Sequence, residues 1–257
     1  MEAAWCSFVV DYLLVKCCEM DATFAHKIFK NNYNLYKSAF VSAKTNSVCN
    51  YEYLEMIGDG VIGMALPLYL NERFPVLRER TNALRVRTLA RLKLMYLSGT
   101  RMSTIASKLG FLRWIKQFNC LQHMSYQEQQ KLLEDCFEAF CGALVITFDA
   151  ATGVMCSGQI VCYRFLRYAY GLIHISLDNL VDNKTMLKEI VDTHRADLKS
   201  FAFTYEKSVM TCKVGDGKYV TQDTNKNGMS KKEMEKIVAG HMLALLAKNG
   251  YIHSGDK

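Results

Sequence analysis

Between Asn50 and Ile62 the chain sets three carboxylates, Glu52, Glu55 and Asp59, into a segment that is otherwise largely apolar. Read as a helix, their offsets of three, four and seven place them on one stripe. Like charges at such spacings repel by about a few tenths of a kcal/mol per exposed pair. Gly58, inside the same turn, costs about 1 kcal/mol more than alanine would. Leu54, Ile57, Val61, Met64, Ala65 and Leu68 read as the apolar stripe of this helix, and Pro75 as its stop. A helix that accepts both penalties at the border of a core needs its carboxylates for something other than its own stability. It also needs a bare backbone position that another group approaches closely.

A second acidic pair, Asp135 and Glu138, stands three residues apart beside the very apolar run Phe137 to Phe148. Two readings compete. Either the acids are an ordinary solvated face with Asp135 capping a helix, or both clusters surround a cation. Two clusters with Gly58 between them favour the cation. Oxygen-only donors select a hard ion, Mg²⁺ or Mn²⁺, rather than zinc or copper. Such an ion suits phosphodiester hydrolysis, where it activates water and screens phosphate charge.

Charge and cysteine content narrow the setting. The chain has 32 basic and 25 acidic residues, a net +7, compatible with a polyanionic partner without requiring one. Ten cysteines occur without a C-x-x-C pair, and Cys136, Cys141 and Cys162 lie in apolar runs, as core residues do. The start lacks a basic region and its apolar stretch is broken by Asp11 and Lys16. The expectation is a reducing intracellular compartment, cytoplasm or nucleus, with no membrane partner. None of the six histidines falls in an E-x-x-H pair, which argues against a di-iron bundle, and the scattered cysteines are not read as nucleophiles.

The expected organisation is a helical domain over residues 1–180 and a small α-β-β-β-α domain over 181–257. Helical periodicity recurs through Leu84, Leu89, Leu92 and Leu94 and through Leu132, Leu133, Phe137, Phe140 and Leu144. Phe8, Val9, Tyr12 and Leu13 suggest an earlier helix packed on the core. After Asp182-Asn183 a short helix signal, Lys184 to Val191, leads into alternation at Phe201, Phe203 and Tyr205 and at Val209, Thr211 and Lys213. A glycine-bearing turn follows at Val214 to Lys218. Ser230 and Glu233 form a capping-box pattern that opens a last helix, and Asn249-Gly250 closes it. Lys231 and Lys232 occupy its first turn, where cations are unfavourable by about 0.3–1 kcal/mol each unless an anion docks there. Arg78, Arg80, Arg85, Arg87, Arg91, Lys93 and Arg101 crowd another stretch, either a solvated amphipathic helix or a cationic wall for phosphates.

Asn50 to Ile62, N-Y-E-Y-L-E-M-I-G-D-G-V-I, resembles the signature segment of the ribonuclease III family, N-E-R-L-E-F-L-G-D-A-V-L. Lys131 to Ala143 is similar to that family's second motif, of A-D-x-x-E-A-L-I-G-A type. The resemblance implies a metal-dependent endonuclease for double-stranded RNA, with Glu55, Asp59, Asp135 and Glu138 as metal ligands and Glu52 as the first signature acid. Glu79, after Phe74-Pro75, falls near a further family acid. The family's upstream A-L-T-H-x-S segment survives only as Ala39 to Ala43, without its histidine. Lys184 to Glu189 and Ser230 to Glu235 resemble the first-helix and last-helix patterns of the double-stranded RNA-binding domain, implicating Lys184, Thr185, Glu189, Ser230, Lys231 and Lys232 in RNA contact. That domain's G-P-x-H loop is absent between Tyr205 and Val209. The resemblance further implies homodimerisation through the helical domain, with Tyr53, Met56 and apolar residues near Gly58 at the interface, and products with 5′-phosphate and 3′-hydroxyl ends. Two other functions fit the same residues: a viral-type nuclease that degrades small duplex RNAs to blunt RNA silencing, and a non-catalytic scaffold that binds double-stranded RNA.

Overall fold

Helical periodicity in the first two-thirds of the chain becomes helices in the computed structural model, which describes residues 2–79, 81–121, 123–177, 183–225 and 228–251. In chain order these are α1 (Glu2–Ser7), a wide π-helix (Phe8–Cys17), α2 (Ala22–Asn31), α3 (Tyr33–Ser38), α4 (Glu52–Arg73), a 3₁₀ turn (Pro75–Glu79), α5 (Asn82–Tyr96), α6 (Gly99–Lys108), α7 (Phe111–Phe118), α8 (Tyr126–Thr152) and α9 (Ser157–Gly171). They belong to one compact unit, Met1–Leu177; a second unit spans Asp178–Lys257.

α8 is the axis of the first unit. Ser125 caps it reciprocally with Glu128, and Gly153 ends it in the left-handed conformation at φ 68°. From Asp135 to Val145 every residue is buried, which a helix achieves only when neighbours surround it. α4, α6, α7 and α9 pack around it.

α4 is apolar on more than one side, and here the structure differs from the sequence expectation. Its buried stripe is Leu54, Gly58, Ile62, Ala65, Leu66, Tyr69 and Leu70. Met64 and Leu68, expected in the core, are exposed, as are Tyr53 and Met56. Periodicity alone cannot choose between two apolar faces; the face bearing Gly58 takes the core because it permits the closest approach. By length and composition α4 is apolar enough to cross a bilayer, yet its inner face is committed to α8. In α5 the buried side is Thr88, Leu92 and Tyr96, and Leu94 points to solvent.

The N-terminal segment is a helix on the core, as expected, but a wide one: Cys18 N–H donates to Leu13 O five residues back at 3.0 Å. Val9, Val10, Leu13, Leu14 and Cys17 are its buried residues, while Phe8 and Tyr12 are only half-buried. The segment Phe40 to Thr45 is pinned by Asn119. The Asn119 Oδ1 accepts from Ser42 N–H (2.7 Å) and the Thr45 hydroxyl (2.8 Å), and its Nδ2 donates to Phe40 O (2.8 Å) and Ile115 O (2.8 Å). A buried amide satisfied on both ends is a rigid fixture.

The second unit contains α10 (Asn183–Thr193), α11 (Arg195–Leu198), three antiparallel strands β1 (Phe201–Glu206), β2 (Val209–Val214) and β3 (Tyr219–Thr224) in that spatial order, and α12 (Lys231–Lys248). Phe201, Phe203 and Tyr205 pair with Val214, Cys212 and Met210, so one face of the sheet is apolar. α10 and α12 cover it with Leu187, Ile190, Met234, Val238 and Met242. β1 and β2 are joined by Lys207 and Ser208, both at positive φ (47° and 66°), a tight two-residue hairpin in place of a longer loop. The β2–β3 turn runs through Gly215, Asp216 and Gly217, all at positive φ, as the glycines predict.

Candidate metal centre

What approaches Gly58 is the backbone of α8. A methyl group at Gly58 would stand 1.8 Å from Glu138 O, and one at Gly142 would stand 2.1 Å from Leu54 O. The two glycines therefore face each other across the α4–α8 crossing, and neither position tolerates a Cβ. Close crossing brings Glu55, one turn before Gly58, alongside Asp135 and Glu138, two turns and one turn before Gly142. One carboxylate oxygen from each of Glu55, Asp135 and Glu138 lies within 4.8 Å of the others.

Asp135 is only 3 % exposed and Glu138 6 %. Asp135 lies ten residues beyond the cap Ser125, deep within α8, so the helix-cap explanation for it fails. Burial, reinforced by the charges of Asp59, Glu134 and Glu55 and only partly opposed by Lys131, pushes the Glu138 carboxyl up to about 8. Burial and then Asp135 push Glu55 up to about 7, again against Lys131. Acids gathered at such cost mark a place where positive charge is wanted.

Two neighbours answer part of that demand. Tyr51 donates its phenolic hydrogen to Asp135 Oδ2 at 2.9 Å. Lys131 Nζ lies 2.7 Å from Asp135 Oδ1, 3.8 Å from Glu134 and 3.9 Å from Glu55. The two oxygens of the buried Asp135 carboxylate thus meet different partners, Oδ2 the Tyr51 phenol and Oδ1 the Lys131 ammonium. Three carboxylates converging this closely, two of them buried, make an all-oxygen donor set that fits a hard divalent cation.

The remaining acids fall around this core. Asp59 is exposed at the rim, outside the three-acid cluster but near enough to act on Glu138. Glu52 is exposed in the first turn of α4, and Glu79 is exposed in the 3₁₀ turn. Sequence reasoning missed Tyr51, Lys131 and Glu134 as members of the site. Lys131 was recoverable, since it precedes Asp135 by one helical turn. Tyr51 was not, because its partner is 84 residues away. Of the basic stretch, Arg85 is spent on Leu77 O and Arg78 O, Arg101 lies over the Tyr96 ring, and Arg80 lies outside the described residues.

In the second unit Lys184 pairs with Glu235 at 2.6 Å and its ammonium lies over the Phe203 ring, binding α10 to α12 and the sheet. Thr185 is exposed and Glu189 half-buried on α10. Ser230 completes its capping box with Glu233, and Lys231 and Lys232 are exposed on the first turn of α12.

Residues 52–149 match the family model of the ribonuclease III domain. The chain is 33% identical over 225 residues to the protein of Frog virus 3 (isolate Goorha) named "Putative ribonuclease 3", covering 87% of this chain and 58% of that one. A protein of the same name in Invertebrate iridescent virus 6 is 30% identical, over 76% of this chain and 63% of its own length. This chain thus spans about three-fifths of these viral relatives. It is 25% identical to ribonuclease 3 of Francisella tularensis subsp. novicida (strain U112), over 86% of this chain and 91% of that one. Among solved structures, the nuclease domain of ribonuclease III from Campylobacter jejuni aligns with a TM-score of 0.42 and 20% identity, over 62% of this chain and 96% of that one. The matched region, residues 52–149, is similar to the ribonuclease III domain and holds both halves of the acidic cluster.

Proposed function

We propose that this chain is a divalent-metal-dependent endonuclease for double-stranded RNA, leaving 5′-phosphate and 3′-hydroxyl ends. The observation that carries the reading is the convergence of Glu55, Asp135 and Glu138, buried or half-buried, with one carboxylate oxygen of each within 4.8 Å of the others. These three residues, with Asp59 at the rim, would hold Mg²⁺ or Mn²⁺. When bound, such a cation screens the phosphate and makes a water acidic enough to attack it. The protein's own contribution is positional: the Gly58–Gly142 crossing fixes the acids, and Lys131 carries a proton and a positive charge beside them.

One such cluster cuts one strand. Cutting both strands calls for a second copy, and the outward strip of α4, with Tyr53, Met56 and Met64 exposed by 64 %, 79 % and 46 %, supports a two-fold dimer there. Lys231 and Lys232, in the first turn at the positive end of α12, suit backbone phosphates. The short Lys207–Ser208 hairpin favours, as a second reading, a nuclease adapted to short duplexes.

The test is cleavage of end-labelled duplexes of ~20 and several hundred base pairs, with and without Mg²⁺, beside Glu138→Gln. A duplex-binding domain of this kind spans only about 16 base pairs, so both lengths offer a binding site. Metal-dependent cutting by the wild type alone is expected. Intact RNA in every lane, with RNA still bound, would leave the non-catalytic scaffold as the explanation.

A further inference from the structure

We propose that Tyr51 is a positioning residue for this site, and that its phenol fixes the orientation in which Asp135 meets the cation. The proposal rests on the metal-site reading given above.

Tyr51 is tied at three points. Its N–H donates to Val41 O at 3.0 Å, its carbonyl accepts from Glu55 N–H at 2.8 Å, and its phenol donates to Asp135 Oδ2 at 2.9 Å. Val41 in turn belongs to the segment held by the satisfied amide of Asn119. The first bond anchors Tyr51 to the core, the second starts the helix that carries Glu55, and the third spans to α8. One residue thus links the two acid-bearing helices from outside the acidic stripe.

Its effect on Asp135 follows from carboxylate geometry. The last torsion of an aspartate is broad and nearly two-fold, so nothing intrinsic distinguishes its two oxygens. Here they differ: Oδ2 is occupied by the phenol, and Oδ1 faces the Lys131 ammonium at 2.7 Å. Lys131, which also contacts Glu55 and Glu134, is a flexible point charge shared among three carboxylates, so its contact to Oδ1 fixes the carboxylate plane poorly. The phenol fixes it more firmly, because the Tyr51 backbone is anchored on both sides and its hydrogen bond to a carboxylate is charge-assisted. Partners that hold a ligand in place typically change metal affinity by about 10–100-fold when removed.

The experiment uses the full chain as wild type, Tyr51→Phe and, as a control, Tyr126→Phe, whose ring is 74 % exposed at the start of α8. Mn²⁺ affinity is read from the electron paramagnetic resonance signal of the free ion, and melting temperature is measured without metal. Tyr51→Phe should bind Mn²⁺ about 10-fold or more weakly, while Tyr126→Phe matches the wild type. Loss of melting temperature with unchanged Mn²⁺ affinity would reduce Tyr51 to a packing residue and overturn the proposal. A wild type that binds Mn²⁺ but leaves duplex RNA intact defeats the nuclease reading alone, and the Tyr51 comparison still stands. Cleavage by the wild type beside Tyr51→Phe with undiminished Mn²⁺ affinity defeats the Tyr51 proposal alone. No Mn²⁺ binding by the wild type defeats both.

Discussion

Glu138 is a carboxylate that the fold holds where water scarcely reaches, facing Asp59 and Glu55 from α4 and Glu134 from its own helix, with Lys131 as the compensating charge. Its folded-state value, about 8, lies above the ordinary glutamate range. As pH rises from roughly 4.5 to 8, the unfolded chain therefore releases this proton before the folded chain does, and stability falls across that window. Glu55, raised to about 7, adds to the same trend. The metal-free protein should melt at a lower temperature at pH 8 than at pH 5, and Glu138→Gln should flatten that dependence. Millimolar Mg²⁺ should restore the wild type most at pH 8, where the acids are most nearly ionised. Equal pH slopes for wild type and variant, measured by scanning calorimetry, would refute the claim. The same substitution should reduce cleavage about 10²-fold or more, the loss usual when one electrostatic group at a reacting centre is removed.

For the helices the decisive contact is α4 against α8. A methyl at Gly58 has no room, since the atom it meets is the Glu138 carbonyl rather than a movable side chain. Gly58→Ala should gain about 1 kcal/mol of helix propensity, yet lose more through overpacking, about 1–3 kcal/mol, by forcing the helices apart. Metal affinity should fall with stability, because the displacement separates Glu55 from Asp135 and Glu138. Gly60→Ala, where an added methyl meets nothing within 4 Å, is the matched control and should be neutral or stabilising. Urea titration of both variants checks this; an unchanged midpoint for Gly58→Ala would mean the crossing is looser than described. Much of this contact was legible in the residues: Gly58 inside a charged helix announced a close approach. That the approaching group would be a second glycine-bearing helix was not, because Gly142 lies 84 positions further on in a run where small residues are common.

For the whole molecule the questions are assembly and RNA. Met56 lies outside the core at 79 % exposure, so Met56→Glu should fold normally but disperse a dimer held by the outer face of α4. Light-scattering mass measurement distinguishes the two states, and an unaltered dimer mass for the variant would move the interface elsewhere. Lys231 and Lys232 are exposed at a helix start that is already capped, so replacing both with alanine should cost little stability. Each lysine that contacts a phosphate contributes about one to the slope of log affinity against log salt. The double variant should therefore bind duplex RNA more weakly and with a slope lower by about one to two. An identical slope would place the phosphate contacts on other residues.

Local patterns in the chain determined which segments became helices and which became the hairpin sheet. The reciprocal caps at Ser125 and Ser230 and the glycine turn at residues 215–217 are short-range features, satisfied within a few residues of themselves. The chemistry of Glu55, Asp135 and Glu138 was likewise visible, because acids bordering apolar runs are unfavourable unless something neutralises them. Tertiary structure alone decided which apolar face of α4 is inside, since both faces carry the same periodicity and only the reciprocal fit of Gly58 and Gly142 separates them. It also decided that Asn119 holds Phe40 to Thr45, and that Tyr51 reaches Asp135. Those contacts join residues more than seventy positions apart, and no local preference encodes a distance of that kind.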